Sequence, residues 1–412
     1  GSKASIEPFD KTLPPSGHGR YVICLLVKKG WDTLAAVRKI AVKIGVDPER
    51  INIAGMKDAK ALTAQYISIG TVPLERLFEA RLKGLTVNPI RFSPEKISSR
   101  LLFGNQFRIA VKSVKYRFGT VQKRIQETRS ELMVFGGIPN FFGHQRFGTV
   151  RPLSHRVGRY LVKENFEEAA FIFLSEPSYH ENPKAREARK GLRETRDFRS
   201  ALKCFPRNLM YERLMLGHLA KYPRDFLGAF RRIPQNLRLF LVQAYQSFLF
   251  NKFLSERMRR EIPVNEAQIG DYVVDLDSRG LPTTNFRKTE GTAISAINRM
   301  IVEGRMAVAI PLVGPKQLVS DGLQGELEKE VLEEEGACPN DFRIDRMLEA
   351  SAAGGLRTTL AEVLDLNIII KDKQAEGNGL CVNFSFTLHK GSYATVLLRE
   401  FMKPKDLIKA GF

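Results

Sequence analysis

Hydrophobic and polar positions alternate in two distinct styles along the chain. Residues 20–28, RYVICLLVK, are apolar on both alternating faces, which predicts a buried strand. The next segment, WDTLAAVRKIAVKIGV, changes to helical spacing. Leu34, Val37, Ala41 and Ile44 share one face, Asp32 or Thr33 is placed to cap, and Gly45 supplies the stop. INIAG and AQYISIG read as two short strands joined by a loop that carries Asp58, and QFRIAVKSV (106–114) as a further strand. A helix is predicted from Thr120 to Met133, ended by Gly136 and Gly137. The loop IPNFFGHQRFG, rich in Gly and aromatic residues, follows.

Beyond residue 152 the pattern becomes mostly helical and rich in Arg and Lys, with weaker strand-like pieces at GDYVVDLD and MAVAIPLVG. Glu326 to Glu335 reads as an acidic helix on a solvated face. QAYQSFLFNKF has apolar residues at helical spacing and reads as core. Strand style returns at LNIIIKDK and LCVNFSFTL, followed by the helix YATVLLREFMK with Ser392 as its cap. The terminal parts are alike and the middle is foreign to them. The division expected is 1–152 and 346–412 as two parts of one body, with 153–345 inserted between them.

Composition narrows the functional classes. The chain has 412 residues, long for one core and natural for two domains. Its 65 Lys and Arg against 45 Asp and Glu give a net charge of +20, which favours a polyanionic partner, nucleic acid before membrane. No apolar run is long enough to predict a transmembrane helix, and no signal-peptide pattern is expected at the N-terminus. The four cysteines show no CxxC spacing and the six histidines do not pair with them, so neither a metal site nor a disulfide framework is expected and a cytoplasmic location suits them. There is no GxGxxG behind a strand, no GxxxxGK[ST], no HExxH and no serine elbow. No nucleotide cofactor or metal is expected, and any chemistry falls to ordinary side chains acting on a bound polymer.

Three stretches hold candidate chemistry. Asp58 lies between Lys57 and Lys60, with Gly55 before it. Flanking cations favour an ionised carboxylate, available as nucleophile or base, and offset its repulsion of phosphate. The plain reading is a turn aspartate among surface lysines. In NFFGHQRFG, Phe141, Phe142 and Phe147 surround Asn140, Gln145 and Arg146. Aromatic faces stack nucleobases, and amide and guanidinium groups bond base edges or phosphate. The plain reading makes the phenylalanines core and His144 an ordinary loop residue. In SFTLHKGSYATVLLRE, Lys390 to Tyr393 sit where a strand meets a helix N-terminus, suited to phosphate or a carbonyl, or else an ordinary join with Tyr393 in the core.

Taken together, AGMKDAKALTAQ, NFFGHQRFG, QAYQSFLFN and FSFTLHKGSYATVLLRE resemble four hallmark stretches of the TruD/Pus7 family of pseudouridine synthases, in the family's order. The resemblance spans about residues 17 to 402. It implies an α+β fold: a mixed, largely antiparallel sheet with flanking helices, interrupted by a mainly helical α/β insertion that grips RNA. It implies conversion of a uridine in tRNA, U13 or U35, to pseudouridine without cofactor. Asp58 would be the catalytic aspartate with Lys57 beside it. Asn140 would contact substrate, and Phe142 and Tyr393 would line the pocket for a flipped base. Lys3 and Phe9 fall on the family's opening motif, although Pro8 stands where that motif has Asp and the following strand is missing. A monomer is expected, with tRNA as partner and neither membrane nor DNA. The rival reading is a non-catalytic binder or chaperone of structured RNA.

Overall fold

The computed structural model describes residues 18–70, 72–372 and 379–410. The chain divides into two compact units, Gly1–Phe103 and Gly104–Phe412. The boundaries expected at 152/153 and 345/346 are a different division.

The first unit runs β1 (Tyr21–Lys29), α1 (Thr33–Ile44), β2 (Ile51–Ile53), β3 (Leu62–Gly70), α2 (Leu74–Phe78) and β4 (Leu85–Ser93). Its antiparallel sheet has the order β2-β3-β1-β4. One face packs on α1 through Val22, Cys24, Leu26, Ile67 and Ile69. The cap of α1 is Asp32, whose carboxylate accepts from the N–H groups of Leu34 and Ala35. The face expected of α1 needs a correction: Leu34 is 48% exposed, and the buried stripe is Thr33, Ala36, Val37, Ile40, Ala41 and Ile44. Strand β4 was not expected from the pattern. Its Pro89 lies on an edge strand, where a missing donor is tolerated, opposite a bulge at Ile23/Cys24.

The second unit opens with β5 (Gly104–Val114), α3 (Phe118–Phe135) and β6 (Ile138–Pro139). Helix α3 ends at Gly136, whose φ of 76° suits a residue without a Cβ. Seven helices follow: α4 (Ser154–Val162), α5 (Phe166–Ser175), α6 (Pro183–Thr195), α7 (Phe198–Cys204), α8 (Met210–Leu219), α9 (Phe226–Arg231) and the long α10 (Gln235–Arg259). Then come β7 (Tyr272–Leu276), β8 (Pro282–Lys288), α11 (Ile294–Val302), β9 (Met306–Leu312), α12 (Gly322–Glu335), β10 (Gly355–Thr358), β11 (Leu360–Ala361), β12 (Val363–Asp372), β13 (Leu380–His389) and α13 (Ala394–Met402). Every strand pairing among the described residues is antiparallel. Three sheets form here: β10-β9-β7-β8, the pair β11-β6, and β12-β13-β5. The largest core joins residues from Val157 to Ala352, with α10 contributing Leu241, Val242, Tyr245, Leu249, Phe250 and Phe253. A second core lies between β12-β13-β5 and helices α3 and α13. Strand β8 escaped the pattern because it is exposed on both faces and does not alternate.

Two further expectations are corrected. Ser392 does not cap α13. Its N–H closes a turn onto His389 O (3.2 Å), so the helix starts after Tyr393, which accepts from Val396 N. The acidic helix α12 is not wholly a solvated face: Glu328 is fully buried and accepts from Ser320 N (2.7 Å), Ser320 Oγ (2.9 Å) and Gln324 Nε2 (2.8 Å). Burial pushes the Glu328 carboxyl up to about 7, against the pull of these donors. A carboxyl whose folded pKa exceeds the ordinary 4.5 favours the folded state in its protonated form. Its contribution is full below about pH 4.5 and is lost as pH rises to about 7. Glu328→Gln removes the titration. The stability of the wild type relative to this variant is expected to fall by up to about 3 kcal/mol across that window. Denaturant unfolding of both proteins at the two pH values measures it, and parallel stability profiles would contradict it.

Candidate active site

In the first unit, the loop between β2 and β3 is pinned from below. Lys28, at the end of β1, is 1% exposed, and its ammonium donates to Trp31 O (2.9 Å), Lys57 O (3.1 Å) and Asp58 O (2.8 Å). All three of its donors are used on backbone carbonyls. Burial lowers its pKa, and the charges of Asp32 and Asp58 pull it back up. Thr33 adds a second tie: its hydroxyl accepts from Lys57 N (3.0 Å) and donates to Lys57 O (3.2 Å). Burial likewise lowers the pKa of the Lys57 ammonium. The Asp58 carboxylate faces outward and exposed, accepting from Lys60 N at 2.8 Å. The loop thus has a held backbone and a presented carboxylate. Sequence reasoning missed Lys28. A lysine closing an otherwise apolar buried strand was the available signal.

In the second unit, Asn140, Phe142 and Tyr393 come together. The short ladder of β6 with β11 brings Asn140 beside β10, where Asn140 N donates to Thr359 O (2.8 Å). Asn140 is 6% exposed and its amide is used at both ends. Nδ2 donates to Thr358 O (3.1 Å) and Oγ1 (3.0 Å), and Oδ1 accepts from Arg357 Nη2 (2.5 Å). Arg357 also donates from Nε to Asn140 O (2.9 Å) and from Nη2 to Gly391 O (3.0 Å). Its guanidinium lies 4.1 Å from the centroid of the Phe142 ring.

Phe142 is clamped through its own backbone. Asn251 of α10 accepts from Phe142 N (2.8 Å) and donates to Phe142 O (3.0 Å), the pairing a neighbouring strand would make. The ring meets Phe250 edge-on at 5.6 Å and Tyr393 at 6.0 Å. Gly143 lets this loop abut the start of α13: a Cβ there would stand 2.8 Å from Tyr393 Cδ1 and 2.9 Å from Thr395 Oγ1. Burial raises the Tyr393 phenol, and Arg146 and Arg357 pull it back down. Arg146 is held by Ser247 Oγ (3.1 Å) and Gln243 Oε1 (3.3 Å) of α10. Phe147 is half-buried and meets His155 edge-on. His144 has its pKa lowered by burial.

So the stretch QAYQSFLFN is core, as expected, through Ala244, Tyr245, Leu249 and Phe250. Its polar members Gln243, Ser247 and Asn251 instead hold the aromatic loop. Arg357 and Asn251 were not foreseen. Lys57 and Asp58 belong to the first unit and the aromatic group to the second. Lys3 and Phe9 lie outside the described residues. Among the described residues no helix is long and apolar enough to cross a membrane.

The chain is similar to known proteins over nearly its whole length. The family model described as tRNA pseudouridine synthase D (TruD) matches residues 5–401. A relative from Methanosarcina mazei named for that activity is 37% identical over 94% of this chain and 89% of its own length. Another from Methanopyrus kandleri is 39% identical over 94% and 86%. A crystal structure of a tRNA pseudouridine synthase D from Methanosarcina mazei superposes with a TM-score of 0.82 at 36% identity, covering 96% of this chain and 90% of that one. The α+β architecture is shared with it. The chain belongs to the tRNA pseudouridine synthase D family, which are isomerases.

Proposed function

We propose that this chain isomerises a uridine of tRNA, U13 or U35, to pseudouridine, with Asp58 as the catalytic carboxylate. One observation carries the reading. Asp58 is the one acidic residue between Asn52 and Gln65, and its backbone is fixed by a buried ammonium while its carboxylate stays accessible. A turn aspartate of no chemical use has no need of such an anchor.

Uridine and pseudouridine are isomers, so the N1–C1′ bond breaks, a C5–C1′ bond forms and the C5 proton leaves, with no redox partner and no ATP. The target base is taken out of its stack, at a cost of a few kcal/mol. Phe142 and Tyr393 supply aromatic surface for it, with Lys57 the cationic neighbour of the carboxylate. Addition of Asp58 to C6, attack on C1′ and removal of the C2′ proton all require a carboxylate touching the nucleotide with water kept out. Asn140, expected as a substrate contact, has its amide engaged by Thr358 and Arg357, and its proposed part is to fix Arg357 and the Phe142 loop against the substrate. Lys3 and Phe9 are proposed as further substrate contacts on the resemblance alone.

Residues 153–345 act as the RNA-gripping insertion between two parts of the catalytic body; the core that begins at Val157 supports its first boundary, and Met347, Ala350 and Ala352 extend that core past its last. Of its basic residues, Arg189 is buried against Glu181 and Glu212, whereas Lys190, Arg193 and Arg196 are exposed in ion pairs with Glu187, Glu176 and Glu167 and, with the half-buried Arg186, are the charges offered to phosphate. Pseudouridine mapping of a tRNA pool before and after incubation with the protein tests the assignment. A new pseudouridine at a single position is expected. Stable binding of tRNA with no new pseudouridine would favour the chaperone reading.

A further inference from the structure

The Phe142 wall carries two cations and, among the described residues, no counterion. Arg146 donates to Ser247 Oγ and Gln243 Oε1, and Arg357 to Asn140 O, Asn140 Oδ1 and Gly391 O. Every acceptor is neutral, and none of these bonds uses Nη1 of either guanidinium. The two groups lie 5.9 Å and 4.1 Å from the centroid of the same ring. Burial lowers both pKa values. The charge of Arg146 lowers that of Arg357 further, to about 10, and only the Tyr393 phenol acts in the other direction.

The two fully buried arginines of the chain are treated differently. Arg257 is paired with Asp271 at 2.7 Å, and Arg189 with Glu181 at 2.9 Å and Glu212 at 2.7 Å. Two half-buried guanidiniums that repel each other beside one aromatic ring, unneutralised, are an unfavourable arrangement for the free protein. A neutral base edge would satisfy the spare N–H groups but not the charge. A singly charged tetrahedral anion satisfies the spare N–H groups and offsets half of the charge, and planar forks are the side chains best matched to phosphate.

We propose that Arg146 and Arg357 form a fork that takes one backbone phosphodiester of the RNA, beside the nucleotide that packs on Phe142. This deepens the reading given above and rests on RNA being the substrate. Asn140 and Gln243 then act as positioning residues, since each aims one arm of the fork through neutral bonds that leave its charge free for the ligand.

The test reads tRNA affinity against KCl concentration, which counts phosphate contacts without any turnover. Arg146→Gln is expected to reduce the slope of log K against log[KCl] by about 0.7–0.9, the value for one lost contact. Arg146→Lys is expected to keep the slope. RNA made neutral at one phosphate by a methylphosphonate, scanned around the modified uridine, is expected to bind the wild type more weakly at one position, with a smaller loss for the Arg146→Gln variant, in which Arg357 alone remains. Weaker binding by Arg146→Gln with an unchanged slope would overturn the fork, because the arginine would then be only a tie between the loop and α10. Normal salt slopes in a variant that still isomerises uridine would sink the fork alone. Absence of isomerisation by the wild type, with the slope change of the variant intact, would sink the catalytic reading alone.

Discussion

Asp58→Asn is expected to lose isomerisation by on the order of 10⁴-fold or more while binding tRNA nearly as the wild type does. Asparagine keeps the Oδ1 that accepts from Lys60 N, and Lys28 grips the carbonyl of residue 58 rather than its side chain. The loop should therefore stand unchanged, and an exposed isosteric substitution should alter stability by no more than about 0.5 kcal/mol. What disappears is the negative charge and the nucleophilic or basic oxygen. Tritium release from RNA labelled at uracil C5 measures the step. Ordinary release by the Asn variant would remove Asp58 from the chemistry, whatever the likeness to relatives.

Lys28→Met should be the most damaging change outside the reacting groups. Methionine fills the space of the lysine stem but offers no donors to Trp31 O, Lys57 O and Asp58 O. Part of the loss is recovered because a buried charge no longer has to be desolvated. Trp31 O and Asp58 O nevertheless lose this donor, while Lys57 O keeps the Thr33 hydroxyl, at a net cost of about 2–4 kcal/mol. The chemical consequence is larger than the thermodynamic one, because the loop that presents Asp58 loses its central tie. Misplacement of a catalytic group by about 1 Å costs on the order of 100-fold in rate. Guanidinium unfolding and tritium release, both at a temperature where the variant is folded, separate the two effects. A fully active and equally stable Lys28→Met protein would show that the ammonium does not organise the loop.

Much of the scaffold was legible in the chain because periodicity reports local burial. The strand at Tyr21–Lys29 and the helix stopped at Gly45 follow from apolar spacing and one glycine, and so does the helix ended at Gly136. Where burial and period part company, the reading went astray. Strand β8 is exposed on both faces, β4 carries Pro89 at an edge, and Glu328 looks like its acidic neighbours although it faces a buried Ser320 and Gln324.

The sequence by itself determined the order of the motifs, the candidate carboxylate at Asp58 and the family to which they belong. Only the tertiary structure decided what supports them. Asn251 holds Phe142 across 109 residues, and Arg357 reaches Asn140 across 217. Lys28 meets Asp58 across 30. Such partners leave no trace in local spacing, because a hydrogen bond between distant segments depends on how the whole chain packs and not on the period of either segment.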